Sequence, residues 1–328
     1  MKQFGYARAD DVAGAVALVS ARPGARYLGG GTNLVDLMKL GVERPDLLVD
    51  VSGLALGEIA ENADGGVHIG ASVRNSDAAA HPLIRSRYPA LTQAIVAGAS
   101  GQLRNLATTG GNLVQRTRCV YFTDPSKPCN KREPGSGCPA RAGEHHNLAV
   151  LGASAHCIAT HPSDMAVALT ALDARVHVHE PSGARIVPIA DLYRAPGDRP
   201  DLELTTAPGA LITGVTLPAL PIAAGSRYRK VRERASYAFA IASIAAAMTV
   251  VDGTVRDVRI ALGAVAPHPW RAHAAEAALV GGPADEAAFA AAADAELAAA
   301  QPLPGNAYKL PLVRNLVART LADLAARA

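Results

Sequence analysis

Short apolar runs alternate with polar and turn-forming residues along the first half of the chain. Residues 47–51 and 66–70 have the length and the β-branched content of strands, and turn-forming residues bound each run. Residues 10–20 instead repeat their apolar side chains at the spacing of one helical face. A second helix is expected over residues 166–172, followed by a strand over residues 175–179. The first half therefore mixes helices with strands.

The Pro-Ala-Leu-Pro sequence of residues 218–221 is the expected domain junction, because proline interrupts regular structure. Beyond it the pattern predicts a strand at 226–231, a helix at 237–248, a hairpin at 250–255, and helices at 283–300 and 306–328. We therefore expect two domains of mixed α and β structure, over residues 1–220 and 221–328.

The composition is that of a folded protein without a nucleic-acid or membrane surface. A chain of 328 residues exceeds what one compact core usually contains, which agrees with two domains. Apolar residues make up 49% and charged residues 19%, which is inconsistent with disorder. The net charge is only +3, so no nucleic-acid partner is expected. Residues 1–18 lack the apolar run of a signal peptide, and no segment approaches about 18 uncharged apolar residues.

Two glycine-rich clusters are candidates for phosphate binding. Gly-Gly-Gly-Thr-Asn at residues 29–33 lies between a short expected strand and a predicted helix over residues 34–41, where bare backbone amides can approach a pyrophosphate. The spacing is neither that of GxGxxG nor that of a P-loop, and a glycine triplet alone is more often a plain turn. A second cluster, Ala-Thr-Thr-Gly-Gly-Asn-Leu at residues 107–113, places two hydroxyls and an amide around a glycine pair.

All four cysteines of the chain lie in one irregular segment: Cys119, Cys129, Cys138 and Cys157. Prolines and glycines between them exclude a long helix or strand, so this loop needs a function or a stabilising link. Two disulfides would suit an oxidising compartment, but the chain shows no export signal. A zinc site usually contains a close cysteine pair, which is missing here, whereas an iron–sulfur cluster accepts any spacing that a loop can fold to. The spacing alone does not separate zinc from a cluster.

Both glycine clusters resemble the two flavin loops of the FAD-binding subunits of the xanthine dehydrogenase family of molybdenum hydroxylases. His-Pro-Ser-Asp-Met-Ala-Val-Ala-Leu at residues 161–169 resembles a third motif of that family. Residues 228–232 (Tyr-Arg-Lys-Val-Arg) and 260–267 (Ile-Ala-Leu-Gly-Ala-Val-Ala-Pro) resemble its C-terminal domain. The resemblance covers nearly the whole chain and implies an α+β fold. It predicts a vanillyl-alcohol-oxidase-like (PCMH-type) FAD-binding domain, followed by a smaller α+β domain of the CO-dehydrogenase flavoprotein type.

The resemblance also implies which residues hold FAD without a covalent bond. The first loop would wrap the pyrophosphate with Leu28, Gly29, Gly30, Gly31, Thr32, Asn33 and Leu34. The second loop would line the flavin and its phosphates with Thr108, Gly110, Gly111 and Asn112. Asp164 would accept hydrogen bonds from a cofactor hydroxyl or ring donor, while Ile212 and Lys230 would lie near the isoalloxazine. The simpler interpretations are that Asp164 only caps a helix and that Lys230 is a solvated strand residue.

For the cysteine segment, the resemblance implies an insertion at about residues 115–160 that holds a [4Fe-4S] cluster, as in the aldehyde oxidoreductases of the family. The implied ligands are Cys119, Cys129, Cys138 and Cys157, with His145, His146 and His156 close enough in sequence to be alternatives.

Together these features predict an electron-transfer subunit of a molybdenum-containing aldehyde oxidoreductase. A molybdopterin-binding large subunit and a [2Fe-2S] small subunit are expected as partners, with electrons passing from FAD to an external acceptor. No catalytic acid or base is required, and none is assigned. Two alternatives remain: a free-standing FAD oxidase or reductase, and a zinc-stabilised interaction subunit without flavin. The expected compartment is the cytoplasm, or the periplasm if a signal-bearing partner carries the chain across.

Overall fold

The computed structural model of the protein describes residues 1–327. Its strands form three separate sheets. The strands are β1 (Gly5–Arg8), β2 (Ala25–Leu28), β3 (Leu47–Asp50), β4 (Ile59–Glu61), β5 (Val67–Gly70), β6 (Arg175–Glu180), β7 (Gly183–Pro188), β8 (Leu211–Leu217), β9 (Arg227–Val231), β10 (Ala242–Val251), β11 (Thr254–Gly263) and β12 (Trp270–Arg271).

The helices fall between and after these strands. They are α1 (Val12–Ser20), α2 (Leu34–Lys39), α3 (Asn75–Ala80), α4 (Pro82–Arg87), α5 (Pro89–Ala97), α6 (Gly101–Arg104), α7 (Thr109–Leu113), α8 (Val120–Thr123), α9 (Asp164–Ala171), α10 (Ile189–Leu192), α11 (His273–Leu279), α12 (Glu286–Leu297) and α13 (Lys309–Ala325), with 3-10 turns at Pro139–Arg141 and Pro221–Gly225.

A three-stranded parallel sheet carries the first glycine loop. Both β1 and β2 pair with the central β3, and α1 buries Ala15 and Val16 against this sheet. The side chain of Asp11 caps α1 by accepting from the amide of Gly14, so the predicted helix over residues 10–20 is confirmed. Because β2 ends at Leu28, the chain passes directly from this sheet into the glycine loop.

A five-stranded antiparallel sheet, in the order β4-β5-β8-β6-β7, carries the second glycine loop. The helices α5 and α9 contribute to the core that this sheet forms, and every residue of α9 is buried. The amide of Gly110 donates to the carbonyl of Ala71, directly after β5. This bond fixes α7 to the sheet.

The C-terminal part contains a four-stranded antiparallel sheet, in the order β12-β11-β10-β9, and a second large core. Helices α11, α12 and α13 contribute Leu279, Phe289 and Leu321 to this core. The strand predicted at 226–231, the hairpin at 250–255 and the helix at 283–300 are confirmed. The predicted last helix corresponds to α13, while Ala328, at the end of that prediction, lies outside the described residues.

The helix predicted over residues 237–248 is wrong, because this segment contributes to β10. The run is rich in alanine, which has the highest intrinsic helix propensity. β10 pairs with β9 on one side and with β11 on the other, and the first six residues of β10 are all buried. Ladder hydrogen bonds and burial therefore outweigh the helix propensity, and a short apolar run does not reveal this by periodicity.

Both parts of the chain are mixed α and β, as expected. No helix within residues 1–327 combines the length and the apolar character needed to cross a bilayer.

Candidate functional site

The two glycine loops pack against each other. A side chain on Gly30 would place its Cβ 1.9 Å from the carbonyl oxygen of Leu106, so only glycine fits where the loops cross. A Cβ on Gly29 or on Gly111 would meet the hydroxyl of Thr108, at 3.2 and 2.9 Å. The glycines therefore allow the two loops to pack closely. Their backbone atoms, which carry no side chains, form one shared surface.

Thr108 orders the second loop. Its hydroxyl accepts from the amide of Gly111 at 3.2 Å and caps α7. The amide of Thr109 donates to the carbonyl of Val73, and the guanidinium of Arg74 donates to the carbonyls of Asn105 and Leu106. The loop is therefore held to the segment after β5 by both backbone and side-chain bonds.

These loops border a solvent-open cleft of about 910 Å³, which we call the loop cleft. The predicted FAD residues that line it are Gly29, Gly30, Thr108, Gly110, Gly111 and Ile212. The prediction missed several further residues of its lining, among them Tyr27, Ser52, Ser72, Arg74, Leu204 and Thr206. Arg74 brings a cation to the same surface as the backbone of Gly29 and Gly30, which carries no side chains, and this combination suits a phosphate. No sequence motif marks these missed residues, because the fold brings them together from separate segments.

Other predicted residues lie beyond this lining: Leu28, Gly31, Thr32, Asn33, Leu34, Asn112, Asp164 and Lys230. Two of these engage other parts of the chain. The side-chain oxygen of Asn33 accepts from the amide of Arg116, and that of Asn112 accepts from the hydroxyl of Ser163 at 2.5 Å. The side-chain nitrogen of Asn33 is buried without a hydrogen-bond partner, so it keeps a donor free at the first loop.

Asp164 and Lys230 form one buried ion pair. The ammonium of Lys230 lies 2.7 Å from one carboxylate oxygen of Asp164, and the hydroxyl of Tyr228 donates to the other at 2.5 Å. Side-chain exposure is 4% for Lys230 and 9% for Asp164, so the interpretation of Lys230 as a solvated residue is wrong. Asp164 is not the helix cap either, because the hydroxyl of Ser163 accepts from the amide of Ala166.

The four cysteines line one small cavity, which we call the cysteine cavity. It is bordered by an apolar core of its own, to which Cys119, Phe122 and Cys157 belong. His156 also lines this cavity. His145 instead accepts from the amide of Gly305 through its ring nitrogen, and the ring of His146 stacks on Tyr308 at 4.4 Å. The fold therefore gathers thiols that are far apart in sequence, with one histidine beside them.

All four cysteines are free thiols in the structure. Burial raises the pKa of Cys119 to about 11, and burial also raises the pKa of Cys157. Without a bound cation these two thiols keep their protons at neutral pH. Across residues 1–327, no three His, Cys, Asp or Glu side chains are grouped so that they could hold a metal ion as they stand.

Two consecutive residues, Glu203 and Leu204, connect the loop cleft with the cysteine cavity. Leu204 lines the loop cleft, whereas the carboxylate of its neighbour Glu203 lies 2.8 Å from the ammonium of Lys131, which lines the cysteine cavity.

The pKa of His161 also responds to the charges of Glu203 and Lys131. Burial is the larger effect and lowers this pKa to about 4, so the ring is neutral at physiological pH.

Comparison with known families divides the chain into two matched parts. Residues 2–220 match the family described as the FAD binding domain in molybdopterin dehydrogenase. Residues 226–324 match the CO dehydrogenase flavoprotein C-terminal domain.

Individual relatives match over nearly the full chain. The sequence is 50% identical to the aldehyde oxidoreductase FAD-binding subunit PaoB of Escherichia coli K12, over 100% of both chains. It is 27% identical to the glyceraldehyde dehydrogenase medium chain of Sulfolobus acidocaldarius, over 85% of this chain and 82% of that one. Among solved structures, a carbon monoxide dehydrogenase from Hydrogenophaga pseudoflava that lacks the Mo-pyranopterin moiety aligns with a TM-score of 0.77 and 28% identity, over 99% of this chain and 98% of that one.

Proposed function

Because the chain belongs to the FAD-binding subunits of the xanthine dehydrogenase family of molybdenum hydroxylases, we propose that it transfers electrons through FAD and a [4Fe-4S] cluster to an external acceptor. The fold class expected from the resemblance is confirmed, as is the assignment to an FAD-dependent oxidoreductase. Bound FAD supplies the ability to accept electrons singly and to release them in ones or twos. The observation that carries the proposal is the pair of adjacent cavities, one bordered by glycine loops and one by four thiols.

The loop cleft supports the FAD part of the proposal. Gly29, Gly30, Gly110 and Gly111 offer backbone without side chains, and Arg74 offers a positive charge to the pyrophosphate. The predicted FAD contacts that lie outside the cleft lining also remain part of the proposal. Asp164 and Lys230 form a buried pair outside the cleft lining, so a cofactor that meets them has to extend beyond the loop cleft.

The cysteine cavity supports the cluster part of the proposal. Four sulfurs border one cavity, yet within residues 1–327 no three ligands converge on a point that would suit a single ion. A cluster of four irons is wider than one ion, so its thiolates stand farther apart than the ligands of zinc. Four thiols around one cavity suit such a cluster, and the resemblance to the aldehyde oxidoreductases of the family favours it over a mononuclear zinc site. Cys119, Cys129, Cys138 and Cys157 would be its ligands.

The partner subunits are inferred from what the chain contains. All four of its cysteines border the one cavity, which leaves no thiols for [2Fe-2S] centres. The relative in E. coli is named as one subunit of an aldehyde oxidoreductase. We therefore assign the molybdopterin and [2Fe-2S] centres to a large and a small partner subunit, with an aldehyde as the substrate class. A domain boundary at residues 220–221 belongs to the same proposal.

Replacing one predicted ligand tests both cofactors together. In Cys129→Ser, a hydroxyl replaces a soft thiolate that iron prefers, so we expect iron per chain to fall to background. Flavin per chain should remain above half of its wild-type value, because Cys129 does not line the loop cleft. The measurements are iron content, EPR after dithionite reduction, and flavin absorbance of anaerobically prepared protein.

The chain has no cysteine outside the proposed ligand set, so the control is Ser126→Ala, an exposed change in the same segment that should leave iron and flavin unchanged. Wild-type protein with zinc in place of iron would support the zinc-stabilised alternative. Unchanged iron in Cys129→Ser would remove that residue from the ligand set and leave His156 as the candidate, because it lines the same cavity.

A further inference from the structure

A buried lysine borders the cysteine cavity. Lys131 lies between Cys129 and Cys138 in sequence, lines the cavity with them, and keeps only 8% of its side chain exposed. Its ammonium donates to the carbonyl of Pro200 at 3.0 Å and to the carboxylate of Glu203 at 2.8 Å. Burying a charged amine is costly, and an exposed loop residue would avoid that cost. The ion pair with Glu203 offsets that cost and keeps Lys131 at the border of the cysteine cavity.

The lysine belongs to a chain of alternating charges. The second oxygen of Glu203 lies 2.6 Å from the guanidinium of Arg116, which also pairs with Glu43 at 2.5 Å. Desolvation opposes the ionisation of Glu203, but Arg116 and Lys131 outweigh it and lower the pKa of this carboxyl group. Glu203 is thus stabilised as a carboxylate between two basic side chains, and Lys131 is the member of this group that lines the cysteine cavity.

Lys131 lines the cysteine cavity together with the four thiols. Its ammonium is held by Glu203 at 2.8 Å, and Glu203 is in turn paired with Arg116 at 2.6 Å. The guanidinium of Arg116 lies over the ring of Phe122, 4.6 Å from its centroid, and does not belong to the cavity lining. The cation that acts on the cavity is therefore Lys131, held by Glu203.

We propose that Lys131, held by Glu203, raises the reduction potential of the cluster in the cysteine cavity. This inference rests on the proposed function, since it needs the cluster to be present. Each one-electron reduction adds one negative charge to the cluster, and a fixed ammonium beside it stabilises the reduced form more than the oxidised form. Glu203 has the opposite effect, because its negative charge partly offsets that of Lys131.

The test is a redox titration of the iron–sulfur EPR signal in the full-length chain, co-expressed with its partner subunits. In Lys131→Met, we expect the reduction equilibrium constant to fall about tenfold, which is a shift of about 59 mV to lower potential. In Glu203→Gln, the potential should shift in the opposite direction. Lys131→Arg keeps the charge and should restore a value near that of the wild type.

The matched control is Lys127→Met, which removes the same charge from an exposed position of the same segment and should leave the potential unchanged. An unchanged potential in Lys131→Met, or shifts of equal sign in Lys131→Met and Glu203→Gln, would overturn the inference. If Lys131→Met retains no iron, the sign of the Glu203→Gln shift decides alone. Absence of the cluster signal from wild-type protein would instead overturn the proposed function.

Discussion

Lys309 is fully buried at the start of α13, where its ammonium donates to the carbonyl of Ala264 at 2.8 Å. Burial lowers its pKa from 10.5 to about 7. Between pH 7 and pH 10 the unfolded chain therefore holds a proton that the folded chain has released. Because the unfolded state binds more protons in this window, the free energy of unfolding rises with pH there. A difference of about 3.5 pKa units corresponds to about 5 kcal/mol, which is an upper bound for this single group.

Removing this amine should change the pH dependence of stability. We expect the Tm of Lys309→Met, measured relative to wild type, to be higher at pH 7 than at pH 10. At pH 7 only the wild type has to release a proton from this amine on folding, and that cost nearly disappears by pH 10. Thermal melts at both pH values check this. The control is Lys39→Met on the exposed end of α2, whose Tm difference should not depend on pH. A pH-independent difference for Lys309→Met would show that the buried amine does not titrate in this range.

At the scale of elements, the short helix α7 separates two environments. Gly110 and Gly111 line the loop cleft, whereas the next residue, Asn112, bonds to Ser163 at the start of α9.

The crossing point of the two loops at Gly30 is unsuitable for a binding test, since a Cβ there would collide with the backbone of Leu106 and disturb folding and binding together. Gly111 suits a test better, because a Cβ there would meet one side-chain atom, the hydroxyl of Thr108 at 2.9 Å, and no backbone atom.

A larger side chain at Gly111 should displace flavin while the fold persists. In Gly111→Leu, the side chain is expected to occupy part of the loop cleft and to reduce flavin affinity at least tenfold, while leucine gains up to about 1 kcal/mol of helix propensity over glycine. Flavin absorbance per chain and the far-UV CD melt measure the two effects. Gly101→Leu in α6 is the control, since a Cβ at that position would meet no atom of residues 1–327 within 4 Å. Full flavin occupancy in Gly111→Leu would place the cofactor elsewhere.

At the scale of the whole molecule, the chain has one core around the five-stranded sheet and another in the C-terminal part, with smaller cores at the three-stranded sheet and at the cysteines. The loop cleft and the cysteine cavity together suit electron transfer, and neither contains an assigned acid or base. Under the proposed function, electrons reach these cavities from a donor on a partner subunit. The match of residues 226–324 to a domain of CO dehydrogenase flavoproteins favours a subunit over a free-standing oxidase.

We expect no aldehyde oxidation by the purified chain with an artificial electron acceptor, and turnover only after co-expression with the molybdenum and [2Fe-2S] subunits. Steady-state rates of the isolated chain and of the co-purified assembly check this. The flavin and iron content of the isolated chain is measured in parallel, so that a missing cofactor is not mistaken for a missing partner. Turnover by the isolated chain at the rate of the assembly would support the free-standing alternative.

The sequence predicted features that depend on local pattern or on motif order. The glycine clusters, the cysteine segment and the motif at residues 161–169 are short and contiguous, so the order of residues along the chain was enough to indicate the family. The helices predicted at 10–20, 34–41 and 166–172 and the strands predicted at 47–51, 66–70 and 175–179 were also found, because each is amphipathic or bounded by turn residues.

Only the tertiary structure decided the features that join distant segments. It made a strand of the alanine-rich β10, since pairing with two neighbours outweighed intrinsic propensity. It brought Arg74 and Leu204 to the loop cleft, and it linked Lys131 to Glu203 across the chain. Such contacts follow from how sheets and loops pack, and packing depends on side chains that are remote in sequence. Local periodicity carries no information about them.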